Sequence, residues 1–240
     1  MKVIALKYLK DDPGVGNADD STDAKESTGM LERLVADLRG QLKELSAGSE
    51  PLRRADLLLQ LGRALVRLEQ GTEAWGAARE AFDLYMADQA REGAAQACDI
   101  LFLAGEPQSL AALGQGIWLA VTYPVDPELS VALLQHVVDE TPPDADGAAV
   151  AAVTAHYLVD LRARDPQREH LLLFTNQLLA TVARRHSGVD GQEAFNRWIE
   201  DMELSDPAKF LPRLRNVVDV LVQDEWWFDR DALQAALPAE

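Results

Sequence analysis

Between residues 28 and 222 the apolar positions of this chain recur every three or four residues with polar positions between them, a period that predicts one helix after another. Leu31, Leu34, Val35, Leu38, Leu42 and Leu45 set the pattern in a first helix over 29–46. Proline marks the later starts, because its missing N–H and fixed φ cost nothing at the first helical position. Pro51, Pro107, Pro127, Pro166 and Pro207 each stand before a periodic apolar run. In Asp126-Pro127, Asp165-Pro166 and Asp206-Pro207 the aspartate is placed to cap free N–H groups and to complement the helix dipole. Helices are therefore expected over 51–69, 72–88, 90–104, 107–121, 127–140, 146–163, 166–187, 190–203 and 207–222, with a short one over 230–236. Pro212 falls inside the 207–222 run and is expected either to kink it or to mark its true start.

No segment outside the first nine residues alternates with period two, so no other strand is expected. Short loops make neighbours in sequence neighbours in space, and the expected fold is all-α: antiparallel helical hairpins stacked side by side. Val3, Ile4, Leu6, Tyr8 and Leu9 form an isolated apolar segment, either a short strand or an irregular peptide. From Asp11 to Gly29 the chain carries six acidic residues against Lys25, with Pro13, Gly14 and Gly16 breaking any period, which reads as a flexible linker. The expected organisation is a flexible acidic segment over 1–27 and one helical domain over 28–240.

One stretch carries a family resemblance. Leu61-Gly62, followed by Ala74 and Ala81, resembles the core of a tetratricopeptide repeat, in which small residues let two antiparallel helices approach and leave room for the next pair. The pattern departs from the family at Leu58, Leu65 and Ala78, where aromatics are usual, at Glu69, where a turn glycine is common, and at Met86, where proline is preferred. A second copy has Cys98 in the glycine slot, Gly105 in the turn, and Leu110 and Ile117 in the small-residue slots. The resemblance covers about 50–122, and 123–240 is a divergent helical part. It implies a tetratricopeptide-like, α-solenoid-like array whose concave surface holds a peptide or another domain.

Composition narrows the partners. A formal charge of −17 over 240 residues repels phosphate backbones and anionic headgroups, which argues against nucleic acid and membrane surfaces. Cys98 is the only cysteine, so no internal disulfide forms, and its apolar surroundings suit a structural thiol. The apolar run at the N-terminus is too short for a signal peptide and no stretch approaches a membrane span, so a cytoplasmic location is expected.

Little in the sequence looks like reaction machinery. There is no Gly-x-Ser-x-Gly, and Gly114-Gln115-Gly116 lacks the third glycine and preceding strand of a nucleotide-binding turn. His136 with Asp139 or Glu140, and His156 with Asp160, each place an imidazole and a carboxylate on one helix face, and together they offer four ligands for a metal or small molecule. Arginines cluster at 53, 54, 63 and 67 and again at 162, 164, 168, 184 and 185, either as seats for a carboxylate-bearing partner or in ordinary ion pairs. Glu225-Trp226-Trp227-Phe228 is the densest aromatic cluster, and its rings are expected to lie over the preceding helices, a partner or a second copy of the chain. The functional expectation is a non-enzymatic protein-binding adaptor or assembly factor without a cofactor, using Arg63, Arg67, Trp75, Trp226 and Trp227. The alternative is a helical enzyme or sensor with a metal or small-molecule site around His136 and His156.

Overall fold

The structure is a computed structural model that describes residues 7–9, 20–45 and 50–237. What was expected of 1–6 and 10–19 lies outside the described residues. Among those described there are eleven helices and no strand: α1 (Asp20–Glu44), α2 (Pro51–Arg67), α3 (Gly71–Ala87), α4 (Arg91–Leu103), α5 (Ser109–Thr122), α6 (Pro127–Glu140), α7 (Asp146–Arg162), α8 (Gln167–Ser187), α9 (Gln192–Asp201), α10 (Pro207–Val222) and α11 (Arg230–Ala235). The helical period therefore places these elements to within a few residues. The difference is at the start, where α1 begins at Asp20 inside the stretch read as a flexible linker. Acidic residues are ambiguous there, because the composition that suggests a linker also suits the positive end of a helix.

The proline rule holds at three starts and fails at two, one of them Pro107, which lies before the Gln108 N-cap of α5. Pro51, Pro127 and Pro207 open their helices, and Asp126 and Asp206 accept hydrogen bonds from the Glu128 and Ala208 N–H groups at 2.9 Å. Asp165 does not cap α8: the Asp165-Pro166 peptide is cis, and Pro166 precedes the helix at its N-cap. Pro212 neither ends nor starts α10, which runs through it. Phe210, Leu214, Val218 and Val222, all buried at four-residue spacing, hold the helix on both sides of the proline.

α2–α3, α4–α5 and α6–α7 form successive hairpins, α3–α4 and α5–α6 contacts join them into an array, and α8 adds to it against α7. Gly62 lies under α3 and α4: a Cβ there would stand 3.1 Å from Ile100 Cγ2 and 3.5 Å from the Ala74 carbonyl. Ala74, Ala78 and Ala81 are fully buried, so the small residues do permit the close approach that their spacing suggests. α10 departs from the simple array by folding back against α5 and α7. Both covered helices are apolar almost all round, and α5 carries no charged residue at all, as a helix buried on several sides requires.

The turns between the first helices put the residue after the C-cap in the left-handed region, at Glu69 (φ 58°), Gln89 (φ 60°) and Gly105 (φ 71°). The first two close with a Schellman-type bond, Gln70 N–H to the Leu65 carbonyl and Ala90 N–H to the Tyr85 carbonyl, each at 2.9 Å. Only Gly105 adopts this backbone without steric cost. Glu69→Gly and Gln89→Gly are each expected to stabilise the fold by about 0.5–1 kcal/mol, the left-handed penalty less the extra freedom of glycine in the unfolded chain. Thermal unfolding of the two variants checks this.

Candidate functional site

Two side chains in the array hold main-chain groups of distant, non-helical segments. The first is Gln115, a fully buried amide in the middle of α5. Its Oε1 accepts the Trp227 N–H at 2.8 Å and its Nε2 donates to the Glu225 carbonyl at 3.5 Å, so one side chain spans the main chain on both sides of Trp226. Gln108 Nε2, just before α5, donates to the Glu225 carboxylate at 3.0 Å. The glycines flanking Gln115 are packing devices: a Cβ at Gly116 would stand 2.7 Å from Cys98 Cβ on α4, and one at Gly114 would stand 2.6 Å from Val222 Cγ2 on α10.

An aromatic box completes the grip. Trp75, Arg79 and Phe82 share one face of α3 by their four- and three-residue spacing. Trp227 meets Phe82 edge-on at 5.2 Å and Trp75 at 6.1 Å, with the Arg79 guanidinium 4.3 Å from its ring centroid. Trp118 on α5 takes Phe228 at 5.3 Å and Trp226 at 6.3 Å, and Arg230 covers the other ring system by standing 4.8 Å from Trp226. The cluster thus lies on the protein's own helices, with all three tail aromatics only half-buried. Beside it a cavity of about 310 Å³ opens between α5, α10 and α11, lined in part by Trp118, Leu214 and Arg230. The tail leaves α10 through Gln223, at φ 53° and ψ −125°, a backbone that normally requires glycine.

The second such side chain is Glu128, a buried carboxylate in the first turn of α6. It accepts the Tyr8 and Leu9 N–H groups at 2.5 and 3.4 Å and a Gln167 amide proton at 3.4 Å. Leu9 is buried, and the Arg63 guanidinium stands 5.3 Å from the Tyr8 ring centroid while its Nη2 donates to Gln96. Of the residues singled out as a partner surface, Trp75, Trp226 and Trp227 therefore belong to the tail groove. Arg63 belongs to the N-terminal contact, and Arg67 is exposed with no ion-pair partner among the described residues.

The arginine islands are largely consumed by the fold. Arg54 pairs with Glu80 and Arg168 with Asp160, Arg162 caps the Ala120 and Val121 carbonyls at the end of α5, and Arg185 donates to the Val138 carbonyl. The histidines go separate ways: His136 Nε2 lies 3.0 Å from Asp99, and His156 Nδ1 lies 3.0 Å from Thr175 Oγ1. The four-ligand cluster considered for them does not form, and among the described residues no group of three or more His, Cys, Asp or Glu is placed to hold a metal ion. Burial pushes the Cys98 thiol well above its ordinary range, as suits a packing residue. Among the described residues no helix is long and apolar enough to cross a membrane.

Gln115, Arg79 and Glu128 were not selected from the sequence. The available signal was at Gly114-Gln115-Gly116, where a polar amide sits between two glycines in an otherwise uncharged apolar helix. Compared with known proteins, the chain matches no family model, no curated protein and no solved structure.

Proposed function

We propose that this chain is a non-enzymatic protein-binding module, an adaptor or assembly factor, whose tetratricopeptide-like array holds an extended aromatic peptide of a partner along α3 and α5. The observation that supports this reading is the Gln115 clamp. A side chain that takes both a donor and an acceptor from a main chain recognises extended peptide in general, while the box of Trp75, Phe82, Trp118 and Arg79 selects aromatic side chains.

In this reading the tail is a ligand held in cis. The half-buried aromatics and the strained backbone at Gln223 favour its exchange, since undocking frees Gln223 to relax. The partner segment then carries adjacent aromatics, with an acidic residue where Glu225 meets Gln108.

A full-length Trp227→Ala variant tests the proposal, with a fluorescent peptide of the sequence of residues 223–230 as the probe. The peptide is expected to bind this variant at least tenfold more tightly than the wild-type chain, whose own tail competes. Adding Gln115→Leu is expected to abolish the gain. Circular dichroism establishes that both variants are folded. A folded Trp227→Ala chain that ignores the peptide at about 1 mM, the limit of weak binding, would overturn the reading.

A further inference from the structure

A second cavity, of about 520 Å³, lies among α7, α8, α9 and α10. That is the size of a small-molecule site, and none of its lining residues takes part in the tail groove. Its depth is apolar: Val153, Leu179, Leu204 and Phe210 are buried. Tyr157 meets Phe210 edge-on at 5.7 Å, adding an aromatic wall.

The polar groups at this cavity are specific in kind. The Thr175 hydroxyl donates to the Leu171 carbonyl at 2.9 Å, so its oxygen is left to accept from His156 Nδ1–H at 3.0 Å. Burial, the largest influence on His156, holds its pKa below the ordinary value and keeps the ring neutral at pH 7. The tautomer is therefore Nδ1–H, and Nε2 is a hydrogen-bond acceptor with no partner among the described residues. Charge at the cavity comes from Asp160 and Glu200, and no Lys or Arg lines it. Asp160 is neutralised by Arg168, whereas Glu200 has no ion pair among the described residues.

We infer that this cavity is a binding site for a small organic cation, an ammonium group carried on an aromatic or branched aliphatic body. The apolar floor takes the body, Glu200 supplies the opposite charge at the open rim, and His156 Nε2 accepts an ammonium proton. An anion of the same shape meets a carboxylate and a lone pair in place of a donor. A neutral analogue leaves Glu200 unmatched.

The test is calorimetric titration of the full chain with 2-phenylethylammonium, 2-phenylethanol and 3-phenylpropanoate, probes of matched size that differ in charge. The ammonium is expected to bind at least tenfold more tightly than the alcohol, with no detectable binding of the carboxylate. Glu200→Gln, at an exposed position, is expected to remove that preference without changing the melting temperature, and amide resonances of Asn176 and Ile199 are expected to move with the ammonium and to stay in place with the carboxylate. Equal affinity for ammonium and alcohol, undiminished affinity in Glu200→Gln, or no binding of the ammonium at about 10 mM, beyond the range of a specific site, would each overturn the assignment. None of these outcomes bears on the peptide groove.

Discussion

Replacing Phe82 with alanine is expected to destabilise the protein by about 3–5 kcal/mol, the range for truncating a buried aromatic ring. Phe82 is only 1% exposed and lies where the interior of the array meets the tail. Beyond its burial within the array, its ring contacts Trp227 at 5.2 Å and Phe228 at 6.4 Å, with Arg79 5.2 Å from its centroid. Alanine leaves a cavity that rigid helices on either side close only in part. It also removes the surface against which Trp227 rests. Urea unfolding measures the first effect, and faster hydrogen exchange at the Trp227 amide measures the second. A loss below about 1 kcal/mol, the scale of a surface change, would mean that the ring does not hold the array and the tail together.

Gly114→Val is expected to cost about 1–3 kcal/mol or more, through overpacking where α5 meets α10. A Cβ at this position would stand 2.6 Å from Val222 Cγ2, 3.0 Å from Leu221 Cβ and 3.3 Å from the Val218 carbonyl oxygen. A side chain can rotate away, but a helical carbonyl moves only with its helix. Gly76 is the control, because it lies inside α3 with nothing within 4 Å of a built Cβ. Gly76→Ala is accordingly expected to stabilise by about 0.5–1 kcal/mol through helix propensity alone. Opposite signs for the two substitutions in one denaturation series locate the α5–α10 contact, and a tolerated valine at 114 would count against it.

The helices were legible because their signals are local. A 3.6-residue apolar period and a proline at the first position depend on a few adjacent residues, and α6 and α10 begin where those signals fall. Asp165-Pro166 has the same two residues and a different outcome, since Pro166 itself takes the N-cap of α8 and leaves Asp165 outside the capping position. The path of α10 was less accessible. Its target is encoded in the lack of charge along α5 and the alanine-rich circumference of α7, which announce burial without naming what covers them. Trp75, Trp226 and Trp227 stood out by type, but only tertiary structure brings Gln115 to the main chain beside Trp226. Arg63 and Arg67 stood out equally and lie elsewhere, because an arginine run on one helix says nothing about which neighbours it meets.

Open arrays of helical hairpins are held by nearest neighbours, so they can lose their ends while the middle persists. Here α10 and the aromatic tail return to helices made about a hundred residues earlier, as the separation between Gln115 and Trp227 records. That return path acts like a clasp on a chain of beads. Losing α10 or the tail must first open a joint in the centre of the array, whereas α1, which packs on α2, can come away without disturbing it.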